Sequence, residues 1–236
     1  MSEQIRFGVE FEMVVRPKEE TIKLLESLFE FDHRDANVLQ THDLGCTDRR
    51  VPNRNAIVRF IESYLRQTGI EVNDSSACKK FLDDVDYTKW TVTTDPSITE
   101  SGLGYGIEII SPVLISNLSA EISKCTGTWN SEMEMVWTAV EKYFDIVTET
   151  RHRCGTHVHM SPLLGFSTEQ VRRFARFLYY LHSDITEHIP ESRRKMRFSQ
   201  PNFDIRPKPS LDELAEDVPL EQLISAMMPR LEDMQE

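Results

Sequence analysis

No stretch of this chain is apolar over the ~18 residues that a membrane-spanning helix requires. The N-terminus, Met1-Ser2-Glu3-Gln4, carries no basic-then-apolar leader and runs straight into a strand pattern. Paired cysteine spacing is missing as well. Cys46, Cys78, Cys125 and Cys154 form no C-x-x-C, which excludes a zinc ribbon and a dithiol redox motif. Reduced thiols and a cytoplasmic location are therefore expected. Glycine is scarce, nine in 236 residues, and nowhere gathered into a phosphate-cradling loop. Basic charge is in the minority: 27 Lys and Arg against 39 Asp and Glu leave a formal net charge of −12. That disfavours nucleic-acid binding, which needs a basic face.

What is present is a globular composition, 39% hydrophobic and 28% charged, with enough length to bury a substantial core. No internal repeat or linker divides it. A single domain over 1–236 is expected.

The chemistry is concentrated in three strand-like segments. In Ile5 to Val15 the odd positions Ile5, Phe7, Val9, Phe11, Met13 and Val15 are all apolar. Successive strand side chains point to opposite faces, so Glu10 and Glu12 sit together on the other side above Gly8. Two like charges at i, i+2 repel, and a divalent cation is a compact way to neutralise them. In Gly106-Ile107-Glu108-Ile109-Ile110-Ser111-Pro112, Glu108 alternates against Ile107 and Ile109, and Pro112 is expected to end the run. In Gly155-Thr156-His157-Val158-His159-Met160, the two histidines share a face opposite Val158 and Met160. Each segment taken alone equally fits a strand with one solvated face. Three of them in one chain argue for one shared site on the open face of a sheet.

Helical periodicity marks a helix opening at Pro17 and Glu19-Glu20, with Ile22, Leu25, Leu28 and Phe29 inward. A second is expected from an Asn53 cap to Gln67, ended by Gly69, after a loop from His33. Others are expected over Trp129–Phe144 and Thr168–His188, the latter burying Val171, Phe174, Ala175, Phe177, Leu178 and Leu181. Short strands are expected at Ile70–Val72, Trp90–Thr94 and Asp145–Thr148, an exposed loop over Ser199–Pro209, and amphipathic pieces around Leu211–Ala215 and Leu220–Met228. The mixture points to an α+β fold with a mainly antiparallel sheet and helices packed on one face. The run Arg193-Arg194-Lys195-Met196-Arg197 fits either a solvated face or a clamp for a carboxylate or phosphate.

With these residues assembled, the chain resembles the amidoligase family, in particular its fungal type. That family lies within the glutamine synthetase-like carboxylate–amine ligases, which include glutamate–cysteine ligases. Four patches carry the likeness in order: Phe7 to Glu12, Trp90 to Ser97, Gly106 to Pro112, and Cys154 to His159. A helix bearing Glu187, Pro190 and Arg193 adds to it, so the likeness spans residues 5 to 197.

The resemblance implies a sheet of the glutamine synthetase/glutamate–cysteine ligase type, forming a funnel between ATP and an acid substrate with Mg²⁺ between them. By that likeness Glu10, Glu12, Glu108 and His157 would be metal ligands and catalytic residues, joined by Arg193. His159, Ser111 and Arg194 would lie on the nucleotide side. The expected partners are small-molecule or peptide carboxylates and amines, with no nucleic acid and no membrane. The expected reaction is ATP-dependent amide or peptide bond formation through an acyl phosphate.

Related ligases carry a later strand of the type T-I-E-F-R, and none follows Arg197. The expectation is thus a domain lacking the family's C-terminal strand or strands, whose open sheet edge invites association into a homo-oligomer. The alternative function is an inactive or incomplete homologue serving as a nucleotide- or metal-binding interaction subunit. A metal-dependent hydrolase would use the same Glu and His residues without a nucleotide.

Overall fold

The structure, a computed structural model of the chain, describes residues 4–33, 47–75, 85–94, 98, 104–117, 128–148, 154–189, 191–194 and 218–227. They fall in two compact units, Met1–Leu163 and Leu164–Glu236.

The first unit is built around one strand, β1 (Gln4–Pro17). Its odd face packs inward: Val9, Phe11, Met13 and Val15 are buried, and Phe7 is partly so. Along one edge β1 pairs antiparallel with β3 (Tyr105–Ile110) and then β4 (Leu114–Asn117). Along the other it pairs with β5 (Phe144–Ile146) and β6 (Thr156–Pro162), again antiparallel. The short β2 (Thr91–Thr93) extends the sheet beyond β3. Every named strand pair is antiparallel. The expected strand at Ile70–Val72 reduces to one parallel bridge between Val72 and Trp90.

Both flanks of β1 are interrupted. On the β3/β4 side the register changes by one residue between Glu10↔Ile110 and Phe7↔Leu114. Gly8 and Val9 therefore face three residues, Ser111, Pro112 and Val113, which is a bulge. Pro112 has no N–H to give the ladder. The Ser111 hydroxyl takes over, accepting from the Val9 N–H at 2.8 Å and donating to the Pro112 carbonyl at 2.9 Å. The Glu108 strand ends before Pro112, as expected from sequence, and pairing with β1 resumes as β4.

Three helices cover the odd face of β1: α1 (Glu19–Leu28), α2 (Thr47–Gln67) and α3 (Thr128–Tyr143). Ile57, Ile61 and Leu65 of α2 and Val136 and Val140 of α3 join the β1 side chains in one core. Each fully buried side chain of this size stabilises the fold by about 1.5–3 kcal/mol. Trp137 and Trp129 lie edge-on to Phe11 and Phe7, with centroids 5.0 and 5.2 Å apart. The α3 terminus is closed by the segment after β1. The Lys18 N–H and Thr21 hydroxyl both donate to the Tyr143 carbonyl, and the Lys18 ammonium donates to that of Glu141. These are carbonyls that a helix end leaves without intrahelical partners.

Two details depart from the sequence expectation. Leu28 is 65% exposed and drops out of the expected stripe, while Leu25 is buried and Ile22 and Phe29 pack against the core. Helix α2 begins at Thr47 and carries Pro52 inside it, so Asn53 is not a cap. Its buried side chain accepts from the Asp32 N–H and donates to the Asp32 carbonyl and the Tyr105 hydroxyl, each at 3.0 Å. Gly69, at φ 88°, ends α2 as expected, with the Ile70 N–H returning to the Leu65 carbonyl.

In the second unit, α4 (Thr168–Glu187) opens with a capping box between Ser167 and Gln170. Its Ala175 and Val171 pack on Leu220 and Leu223 of a terminal helix, Leu220–Met227. A single turn, α5 (Glu191–Arg194), lies between them in sequence. Phe174 and Phe177, expected inward, are stacked on each other and more than half exposed. The segments expected at Ser199–Pro209 and Leu211–Ala215 lie outside the described residues. No helix among the described residues is long and apolar enough to cross a membrane.

Glu62 of α2 is 2% exposed, and burial pushes its carboxyl above the ordinary value of 4.5 despite the Ser75 N–H and Arg66 nearby. A raised folded-state pKa gives a contribution that is full below the unfolded value and is lost as pH rises through the folded one. Glu62→Gln keeps an acceptor for Ser75. It should therefore unfold at a higher temperature than the parent at neutral pH, with the gap closing as pH falls through the raised folded value toward 4.5. Melting curves across pH check this; a gap that widens in acid contradicts it.

Candidate active site

Directly opposed residues in an antiparallel pair share a face of the sheet. On β1 the even face holds Arg6, Gly8, Glu10 and Glu12. Glu12 is opposite Glu108 of β3, which is in turn opposite Thr93 of β2. Glu10 stands between Ile110 and His157, and Gly8 is opposite His159. Glu10, Glu12, Glu108, His157 and His159 therefore occupy one face of one sheet, as expected from their strand positions.

The acids are recessed and the imidazoles stand over them. Glu12 and Glu10 side chains are 12% and 28% exposed, His157 and His159 51% and 66%. Each imidazole leans one row along the sheet. His157 Nε2 lies 3.1 Å from Glu12 Oε1, and His159 Nε2 lies 3.1 Å from Glu10 Oε1. An ionised carboxylate only accepts, so in each pair the imidazole is the partner able to donate. Directly opposed Cβ atoms on neighbouring strands are ~5 Å apart, which puts like charges of Glu12 and Glu108 at a destabilising distance. Among the described residues, no three His, Cys, Asp or Glu side chains are already drawn into a metal cage.

Gly155 shows how tightly this corner is built. Its carbonyl accepts the Glu12 N–H at 2.9 Å, extending the β6 pairing by one residue. A Cβ there would lie 3.3 Å from both Glu12 Oε2 and His157 Nε2. The Cys154-Gly155 step thus leaves room for the acid–imidazole pair to close over the backbone.

Below Glu10 the same face opens into a cavity of about 460 Å³. Gly8 lies on its floor, Tyr87 and Val113 on one side, and His159 on the other, with Arg6 at the end remote from Glu10. Ser111 also lines it, but its hydroxyl is committed to Val9 and Pro112. Arg6, Tyr87 and Gly155 are site residues that sequence reading did not single out. Arg6 could have been found from the alternation that exposed Glu10 and Glu12; Tyr87, in a loop, left no periodic signal.

The remaining expected site residues belong to the second unit. Arg194 donates to the carbonyls of Ile189 and Glu187 at 2.8 and 2.7 Å, closing the end of α4. Arg193 lies in α5, and its side chain is outside the described residues. On β6 the expected apolar side is not buried. Val158 and Met160 are 57% and 58% exposed, and among the described residues no β6 side chain joins the core that buries the odd face of β1.

These features define an α+β protein with a mainly antiparallel sheet, bearing a recessed carboxylate–imidazole site beside a cavity. The chain matches the family described as "Putative amidoligase enzyme" over residues 3–232, and it belongs to that family. No curated protein and no solved structure matches it. The family description puts a ligase-type function first.

Gly155→Ala should displace the His157 ring and the Glu12 carboxylate by a few tenths of an ångström while leaving β6 paired. The expected sign is displaced His157 ring resonances by NMR with an unaltered far-ultraviolet spectrum. Unmoved resonances would show that Gly155 does not shape the pair.

Proposed function

We propose that the protein is an ATP- and Mg²⁺-dependent carboxylate–amine ligase, forming an amide or peptide bond through an acyl phosphate. The observation that carries this reading is the gathering of Glu10, Glu12, Glu108, His157 and His159 on one sheet face in a chain of the amidoligase family. The donor set suits a hard divalent cation. Carboxylate oxygens dominate it, and Glu10 and Glu12 are recessed enough to hold an ion away from bulk water. Glu10, Glu12, Glu108 and His157 would hold Mg²⁺, which supplies positive charge to phosphate oxygens when bound.

A carboxylate is a poor electrophile. Its oxygen attacks the γ-phosphorus of ATP, the bond to the bridging oxygen breaks, and ADP leaves. The amine nitrogen then attacks the acyl carbon, the bond to the phosphate oxygen breaks, and phosphate leaves. The proton lost by nitrogen goes to the His159 imidazole, which stands over Glu10 and lines the cavity. The paired strands keep these groups in place, and a rigid scaffold is what a two-step transfer at one site requires.

The test is release of ADP and phosphate that depends on both an acid and an amine, across a panel of each with ATP and Mg²⁺. Glu10→Gln and Glu12→Gln should each lower kcat by ~10²-fold or more. Both should keep or raise the unfolding midpoint, since each removes one of several crowded negative charges. ATP binding without turnover would instead mark an interaction subunit, and amide hydrolysis with metal alone a hydrolase. Either outcome overturns the ligase reading.

A further inference from the structure

Gly8 sits mid-strand in β1, where glycine costs stability for want of a side chain to pack. It faces the Ser111–Val113 bulge, but the extra residue is on the other strand, and neither positive φ nor crowding requires glycine here. Its φ is not positive; among the described glycines only Gly69 and Gly165 have that geometry. Nor is it crowded by protein, since a Cβ would meet only Ser111 Oγ, at an ordinary 3.8 Å. Gly155, by contrast, is hemmed in by Glu12 and His157. The space over Gly8 opens into the cavity.

The two ends of that cavity carry opposite charge. Glu10 lines one end and Arg6 the other, four residues apart on the same face of β1, or ~13 Å along the strand. Arg6 is exposed, and among the described residues it has no ion-pair partner. Between the two ends the walls are largely apolar, with Ile110, Val113 and Tyr87 prominent.

We propose that this cavity binds the amine substrate, and that this substrate is an elongated zwitterion: an ammonium at Glu10, an apolar body over Gly8, and a carboxylate at Arg6. Peptides and ω-amino acids have this form. A nucleotide fits less well: with its polyphosphate at Arg6 its far end is neutral, which leaves Glu10 without a cation. The assignment rests on the ligase reading only for the fate of the bound amine, whose nitrogen would lie beside the Glu10–His159 pair.

Calorimetry without ATP or metal tests the binding directly, using 8-aminooctanoate, octylamine and octanoate as probes. The zwitterion should bind at least tenfold more tightly than either singly charged probe. Arg6→Gln should erase its advantage over octylamine. Gly8→Val should weaken it tenfold or more while the unfolding midpoint stays at or above that of the parent. Should Gly8→Val fail to fold, Gly8→Ala provides the same reading with a smaller loss. Equal binding of octylamine and 8-aminooctanoate, an unaffected Arg6→Gln, or no binding of any probe would overturn the assignment. ATP-dependent ligation of small amines with no zwitterion binding would sink this inference and spare the ligase reading. Zwitterion binding with no ligation would do the reverse.

Discussion

The register of β1 against its two neighbours is what the rest of the molecule depends on. A β-strand has a side-chain period of two, so a slip of one residue on either edge would send Glu10 and Glu12 into the hydrocarbon core and Phe11 and Met13 out to water. The core prevents this: α2 and α3 pack against the odd face and favour the register in which no β1 carboxylate is buried against them. The same packing that stabilises the fold thereby aligns Glu12 with Glu108 and Glu10 with His157. Stability and chemistry here are two faces of one ribbon.

That alignment carries an electrostatic cost. Three carboxylates on adjacent strands repel, and a protein optimised only for stability would not collect them. The imidazoles of His157 and His159 offset part of this through their contacts with Glu12 and Glu10. They stand further out than the acids they touch, on a strand whose own apolar side chains are more than half exposed. The acids are thus held by the rigid centre of the sheet and the histidines by its less constrained margin. This division suits a site in which the anionic groups are fixed and the groups that donate to them can exchange partners.

Much of this was legible in the sequence because it follows a short period. Alternation in Ile5 to Val15, around Glu108 and around His157 gave the strands, their functional faces and the companionship of the five side chains. What escaped depended on contacts between segments distant in sequence. Pro52-Asn53 reads as a helix boundary, since proline lacks an N–H and restricts the residue before it. Yet α2 runs through it, and Asn53 is recruited by Asp32 and Tyr105 instead. Pro112 reads as a strand end, and β3 does end before it; what gave no signal is the Ser111 hydroxyl bridging the gap and the return of pairing as β4. Phe174 and Phe177 satisfy a helical stripe and still lie on the exposed side of α4, because the partner helix supplies few contacts beyond Ala175 and Val171. Arg6 and Tyr87 mattered only once a cavity had a position.

The broken flanks of β1 have an evolutionary consequence. Because β5 and β6 dock independently on opposite halves of the central strand, the linker between Thr148 and Cys154 can lengthen or shorten without shifting either register. The bulge at Ser111–Val113 marks a second such joint on the opposite flank. The bulge lines the cavity, and Gly155, just before β6, lies against Glu12 and His157. Descendants of this scaffold can therefore remodel what surrounds the clustered side chains by insertion and deletion while the pairing that positions them is inherited intact.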